Sequence, residues 1–340
     1  MNRSVFWLAA LLLTFTLTVA SAAPGYHVIK KIPLGGEGGW DYLTVDPAAE
    51  RLYVSRATHV VVVDLKTEKV IGDIPDTLGV HGIALAPALN RGFISCGKAD
   101  QVVIFDLKTL KTLGQAKTGA NPDTIIYDPA SKHVFSFDGR GKDSTVIDPS
   151  TGAIVGTIPL GGKPEAALAD GKGRIYVNIE DTGEVAVLDS AKLTVLGRYP
   201  VKPGEEPSGM GLDVKKHRVY SGCSNKLMTV LDGETGKLLA AVPIGAGVDG
   251  NGYDADLGLA FSANGEGNVT VVRESSPGKF EVAETVPTLR GARTMALDTK
   301  SHRIYLPTAE FGPTPAPTPE NPRPRPAPIK DTFVILVVGR

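Results

Sequence analysis

Seven residues suited to holding a polar ligand recur along the chain at near-constant intervals. They are Asp41, His81, Asp123, Glu165, Ser208, Asp249 and Arg293, spaced by 40, 42, 42, 43, 41 and 44 positions. Four of the seven are acidic, in a chain whose 36 basic and 37 acidic residues nearly cancel. A fold that gathered them would also set Asp123 beside Asp138, and opposed carboxylates repel unless a cation or a proton separates them. Such a ring suits a divalent metal or a polar small molecule. A hydrolytic version, a metal-assisted lactonase or lyase, would use Glu165, Asn178, Asp123 and Asp249 as ligands and His81 as general base. The plain alternative is that each residue solvates a loop, with Asp41 and Arg56 forming a surface pair worth under about 1 kcal/mol.

The intervals belong to a repeat. "DYLTVDPAAERLYVS" (41–55), "TIIYDPASKHVFSF" (124–137), "MGLDVKKHRVYSG" (210–222) and "TMALDTKSHRIYLP" (294–307) are variants of one phrase. Seven copies of a unit of about 40 residues predict an all-β, seven-bladed propeller with four antiparallel strands per blade. In the first blade, alternation and turn chemistry place strands at Tyr42–Asp46, Leu52–Ser55, Val60–Asp64 and Val70–Pro75. Asp46, Asp64, Asp106, Asp128, Asp148, Asp189, Asp213, Asp232 and Asp298 read as turn residues, whose carboxylates accept from nearby backbone amides.

Six fourth strands are legible, and the seventh blade ends at "FVILVVGR" without one. "HVIKKIPL" (27–34) matches the fourth-strand phrase "AIVGTIPL" (153–160), so the N-terminal strand is expected to pair with the last strand and close the ring. The run "FGPTPAPTPENPRPRPAPIK" (311–330), with eight prolines, cannot join a ladder. It becomes a loop, 309–331, inside blade seven. Two uses are open for it: a stiff cover bringing Arg323 and Arg325 over the acidic ring, or a solvated spacer.

In a propeller, loops from each fourth strand to the next first strand share a face with the loops between second and third strands. Counting back from Asp46 opposite Arg51 sets Asp41 opposite Arg56, His81 opposite Cys96, Asp123 opposite Asp138, Ser208 opposite Cys223 and Arg293 opposite Thr308. Glu165 falls close to Asn178. The expected mouth therefore holds Asp41, His81, Asp123, Glu165, Asn178, Ser208, Asp249 and Arg293, and the metal candidates are His81, Cys96, Asp123 and Asp138. Cys96 and Cys223 occupy equivalent places in blades two and five, beyond bridging distance, so both are expected to be free. A buried Cys96 thiol beside a hydrogen-bonded histidine competes with the soft-metal reading.

The phrases "RLYVS", "RIYVN" and "RVYSG", each followed by a strand of the form xVxVxD, resemble the YVTN-repeat, YncE-like family of exported seven-bladed propellers over about 26–340. That resemblance implies an exported binding or accessory propeller with no shared catalytic motif. It names no ligand.

Other chemistry is scarce. The chain has no CxxC, HExxH, GxSxG or phosphate-binding GxxxxGK[ST], and "GAGVDG" (245–250) joins two strands where a dinucleotide site needs a helix. "DGRGKD" (138–143) lacks most ligands of a calcium loop. Asn268 opens the sequon "NVT", which matters only where the source glycosylates. Without a long single-sign block no nucleic-acid partner is expected; the partners foreseen are a small polar ligand or a protein, met by a monomer.

Arg3, the apolar run Val5–Ala20 and the small-residue pattern Ala20-Ser21-Ala22 read as a signal peptide over 1–22, placing the protein in the periplasm or outside the cell. No other segment is long and apolar enough to span a bilayer. Mass spectrometry of exported protein should find a mature end at Ala23 or Pro24, and an intact Met1 end would contradict this reading.

Overall fold

The computed structural model describes residues 25–318 and 324–340. The expected leader, 1–22, and Arg323 lie outside those residues. The strands, from His27 to Gly339, form seven four-stranded antiparallel sheets. In blade one they run Leu43–Asp46, Arg51–Arg56, His59–Asp64 and Lys69–Ile74, close to the sequence expectation. Among the described residues the helical content is a single 3-10 turn, Pro87–Leu89, and no helix is long and apolar enough to cross a membrane.

Alternation explains how the blades stack. In "RLYVSR", Leu52 and Val54 face blade seven, while Tyr53 faces blade two. Every strand pattern of this kind buries one face against each neighbour, so the apolar residues fall into seven clusters, one at each interface between adjacent blades. The inner strands approach so closely that a Cβ on Gly209 would meet the Asn251 amide at 2.7 Å, and one on Gly250 the Met295 amide at 2.7 Å.

The turn aspartates do what their side chains favour. Asp46 Oδ1 accepts from the amides of Ala48 and Ala49 at 3.1 and 3.0 Å, and Asp232 Oδ1 from Glu234 and Thr235 at 3.1 and 2.9 Å.

Closure occurs as expected. His27–Pro33 pairs antiparallel with Val334–Gly339, which follows the proline loop, and the sheet order in blade seven places the N-terminal strand outermost. Ile32, 3% exposed, joins the cluster between blades seven and one. The loop lies between Arg303–Thr308 and Val334–Gly339. Its legs are tied by a bridge between Phe311 and Pro328 and by bonds from Gly312 N to Ala327 O and Ile329 N to Glu310 O.

Because Ile32 packs in the interface between blades seven and one, Ile32→Ala should cost about 2–4 kcal/mol, a large-to-small change in a packed core. A chain starting at Leu34 should lose more, since it also loses a strand ladder. Urea unfolding checks both, and a midpoint unchanged by starting the chain at Leu34 would show that the strand carries no stability.

Candidate functional site

The register near the mouth departs from simple counting, and the departure builds the site. Each first strand in blades two to six carries a bulge at its start. Val80 pairs with Cys96, Pro122 with Asp138, Pro164 with Ile179, Pro207 with Cys223 and Val248 with Asn264, and the pairing then skips. The residue after each of these is His81, Asp123, Glu165, Ser208 or Asp249. A bulge leaves its extra residue outside the ladder and re-aims the side chain. Proline, lacking an N–H, fits the position just before it. Buried serines hold the distorted backbone: Asp41 N donates to Ser55 Oγ and Gly82 N to Ser95 Oγ, both at 2.8 Å.

Several expected neighbours are therefore corrected. Cys96 lies opposite Val80, not His81, and is buried in the cluster between blades one and two, where desolvation pushes its thiol up to about 12. That environment suits no metal ligand. Asp138 lies opposite Pro122, not Asp123; its oxygens accept from Ser136 Oγ at 2.9 Å, Thr145 Oγ1 at 2.6 Å and Gly119 N at 3.1 Å. Arg56 does not pair with Asp41. It donates to the carbonyls of Gly35 and Glu37 at 3.2 and 2.8 Å and stacks 3.7 Å from the Phe333 ring centroid. Cys223 faces Pro207 instead of Ser208, and Thr308 donates to the Arg290 carbonyl at 2.7 Å.

Asn178 is also removed from the mouth. Fully buried, it donates to the carbonyls of Ser208 and Gly209 at 2.9 and 3.1 Å and accepts from Ser221 Oγ at 2.8 Å. It ties blade four to blade five.

The remaining residues converge. Asp41, His81, Asp123, Glu165, Asp249 and Arg293 line a cavity of about 390 Å³, and Ser208 borders it. His81 Nδ1 lies 2.6 Å from Asp41 Oδ2 and 3.6 Å from Asp123 Oδ1. Ligand atoms of these three residues all lie within 4.8 Å of one another, a spacing that a metal ion could bridge once the histidine proton leaves. Asp249 accepts from Ser208 Oγ at 2.7 Å and pairs with Arg293 Nε at 3.2 Å. Glu165 is held by Lys163 at 2.6 Å, and Lys163 also bonds Glu180. Asp123 is as buried as Glu165, and its Oδ1, 3.6 Å from His81 Nδ1, has no hydrogen-bond partner.

Counting missed Tyr42, Lys163, Glu180 and Glu206, which line the same cavity together with Arg325, one of the two arginines that the cover reading of the proline run had brought over the ring. Tyr42 also borders the apolar channel below, about 190 Å³, so it stands between the two spaces. Its position directly after Asp41 was the available signal, hidden because strict alternation turns successive residues to opposite faces.

Burial and crowding set the charges. Desolvation raises Asp123 to about 7, with His81 opposing and Asp41 and Asp249 adding to the rise. Desolvation likewise raises Glu165, helped by Asp123, and raises Asp249 against the pull of Arg293. Burial would lower His81, but its bond to Asp41 and the charges of Asp123, Asp41 and Glu165 outweigh it and lift the ring to about 9. His81 therefore keeps its second proton at neutral pH, and its ring has no lone pair to act as general base.

All these shifts are upward, so the folded protein keeps protons that the unfolded chain releases. Their stabilisation is full below the unfolded values and is lost as pH rises through the folded ones. For Asp123 the window runs from 3.8 to about 7. Asp123→Asn should therefore flatten the fall in stability between pH 5 and 8, and at pH 8 should exceed the parent by on the order of 1 kcal/mol. Urea unfolding at both pH values tests this; parallel pH curves would contradict it.

No protein-family model and no curated protein matches the chain. Solved structures do. A structure of U3-55K aligns with TM-score 0.74 and 10% identity, covering 92% of this chain and 99% of that one. The RRP9 WD40 repeats align with TM-score 0.74 and 10% identity over 91% and 97%. A chain of Kuenenia stuttgartiensis hydrazine synthase aligns with TM-score 0.51 and 18% identity over 70% and 96%. At these identities the likeness establishes the seven-bladed propeller fold and nothing about function.

Proposed function

We propose that this chain is an exported binding or accessory propeller of the YncE-like kind, holding a small cationic ligand, an organic ammonium or a divalent metal, at its mouth. The observation that carries the reading is the cluster of Asp41, His81 and Asp123, whose ligand atoms lie within 4.8 Å of one another at a cavity also lined by Glu165 and Asp249. Carboxylates gathered in this way repel unless a proton or a cation separates them, so the cluster favours a positively charged ligand. A ligand there would replace the protons that the carboxylates now retain. The repeat phrases and the leader-like first residues support export.

Calorimetry with calcium, magnesium, zinc and 1,4-diaminobutane tests the reading. At least one should bind more tightly at pH 8 than at pH 6, because the carboxylates and His81 must release protons first. Asp123→Asn should weaken that binding about tenfold or more, the loss of a desolvated charge pair. If none of the four binds at pH 8, the reading fails.

A further inference from the structure

Beside the acidic mouth lies a second cavity of about 460 Å³ with the opposite character. Arg290, Arg293 and Arg325 line it together with Trp40 and Phe311, and among the described residues no carboxylate does. In a chain of net charge −1, three guanidinium-bearing residues around one cleft are a local excess of positive charge. Arg293 is neutralised from the mouth side by Asp249. Among the described residues, Arg290 and Arg325 form no ion pair within 4 Å, although Arg325 is close enough to influence Asp249.

The aromatic wall is pre-organised. Trp40 packs 5.0 Å from Phe333 and 6.0 Å from Phe311, measured between ring centroids, and Phe333 is itself pinned beneath Arg56. Phe311 rests on Gly291, where a Cβ would come within 2.6 Å of the ring, and its strand bridge to Pro328 fixes the loop leg above. Gly291 has φ +84°, so both its conformation and its missing side chain make room for that ring.

We propose that this cleft is a binding site for a small carboxylate with a planar apolar body. Guanidinium groups grip carboxylates bidentately, and a fixed tryptophan and phenylalanine offer flat surface to a ring at little entropic cost. The volume suits a one- or two-ring molecule. A bare inorganic anion would use the arginines and leave the aromatic wall idle; a neutral ring would do the reverse. The site does not rest on the cation reading of the mouth, and its ligand need not touch Asp123.

Calorimetry on the full-length protein at low salt, with 1-naphthoate as probe and 1-naphthamide and inorganic phosphate as controls, tests it. The naphthoate should bind at least tenfold more tightly than either control, and its affinity should fall as salt is added. Arg290→Ala/Arg325→Ala, which alters two exposed side chains, should weaken naphthoate by tenfold or more while leaving the melting temperature unchanged. Asp123→Asn should leave naphthoate binding intact, which separates this site from the mouth. Absent naphthoate binding, equal binding of the naphthamide or phosphate, or unchanged affinity in the double variant would each overturn the proposal.

Discussion

No blade of this protein can bury its own faces. A four-stranded sheet has two apolar sides, and here each is covered only by the next blade, so the core is divided into seven interfaces around a ring. The arrangement is stable only if the last interface forms like the others. Closure is completed by one pairing between the two ends of the chain, His27–Pro33 against Val334–Gly339, which fills the missing strand of blade seven and adds to the core between blades seven and one. Loop-closure entropy makes contacts between chain ends costly to bring together, but that cost grows only slowly with length, and a full strand ladder with a buried isoleucine offsets it.

The same ring imposes the geometry of the mouth. Inner strands converge toward the axis, and the regular ladder stops where they become crowded. The bulges at the starts of the first strands are the local response, each placing one residue outside the ladder and aiming it at the axis. Buried serines and Asn178 satisfy the amides and carbonyls that the distortion frees. The site is thus a by-product of how a propeller ends its innermost strands, loaded with charged residues that the fold itself does not require.

Those charges are unevenly distributed. Carboxylates crowd above the channel, where His81, Lys163 and Arg293 neutralise part of them, while arginines gather beside Trp40 and Phe311 under the proline loop. The loop connects the two regions physically, because Arg325 lines both cavities. Its prolines suit the role: a segment unable to join a ladder stays at the mouth instead of extending the sheet.

The repeat phrase alone determined the propeller, the number of blades, the turn aspartates, the closing strand and the place of the proline loop. All of these follow from local patterns: alternation, side-chain turn chemistry and the count of strand phrases. The residues that face the mouth were also legible from their spacing, since each sits at a fixed offset in the repeat. Their partners were not. Counting along an ideal ladder set Asp123 against Asp138, His81 against Cys96 and Glu165 beside a ligand-facing Asn178. A single extra residue in a strand moves every subsequent neighbour by one and turns side chains to the other face, and no residue type announces a bulge reliably. The arginine-aromatic cleft was further out of reach, because Trp40 meets Arg290, Phe311 and Arg325 only where the two ends of the ring come together. Contact between distant loops is a property of the assembled ring, decided by tertiary structure alone.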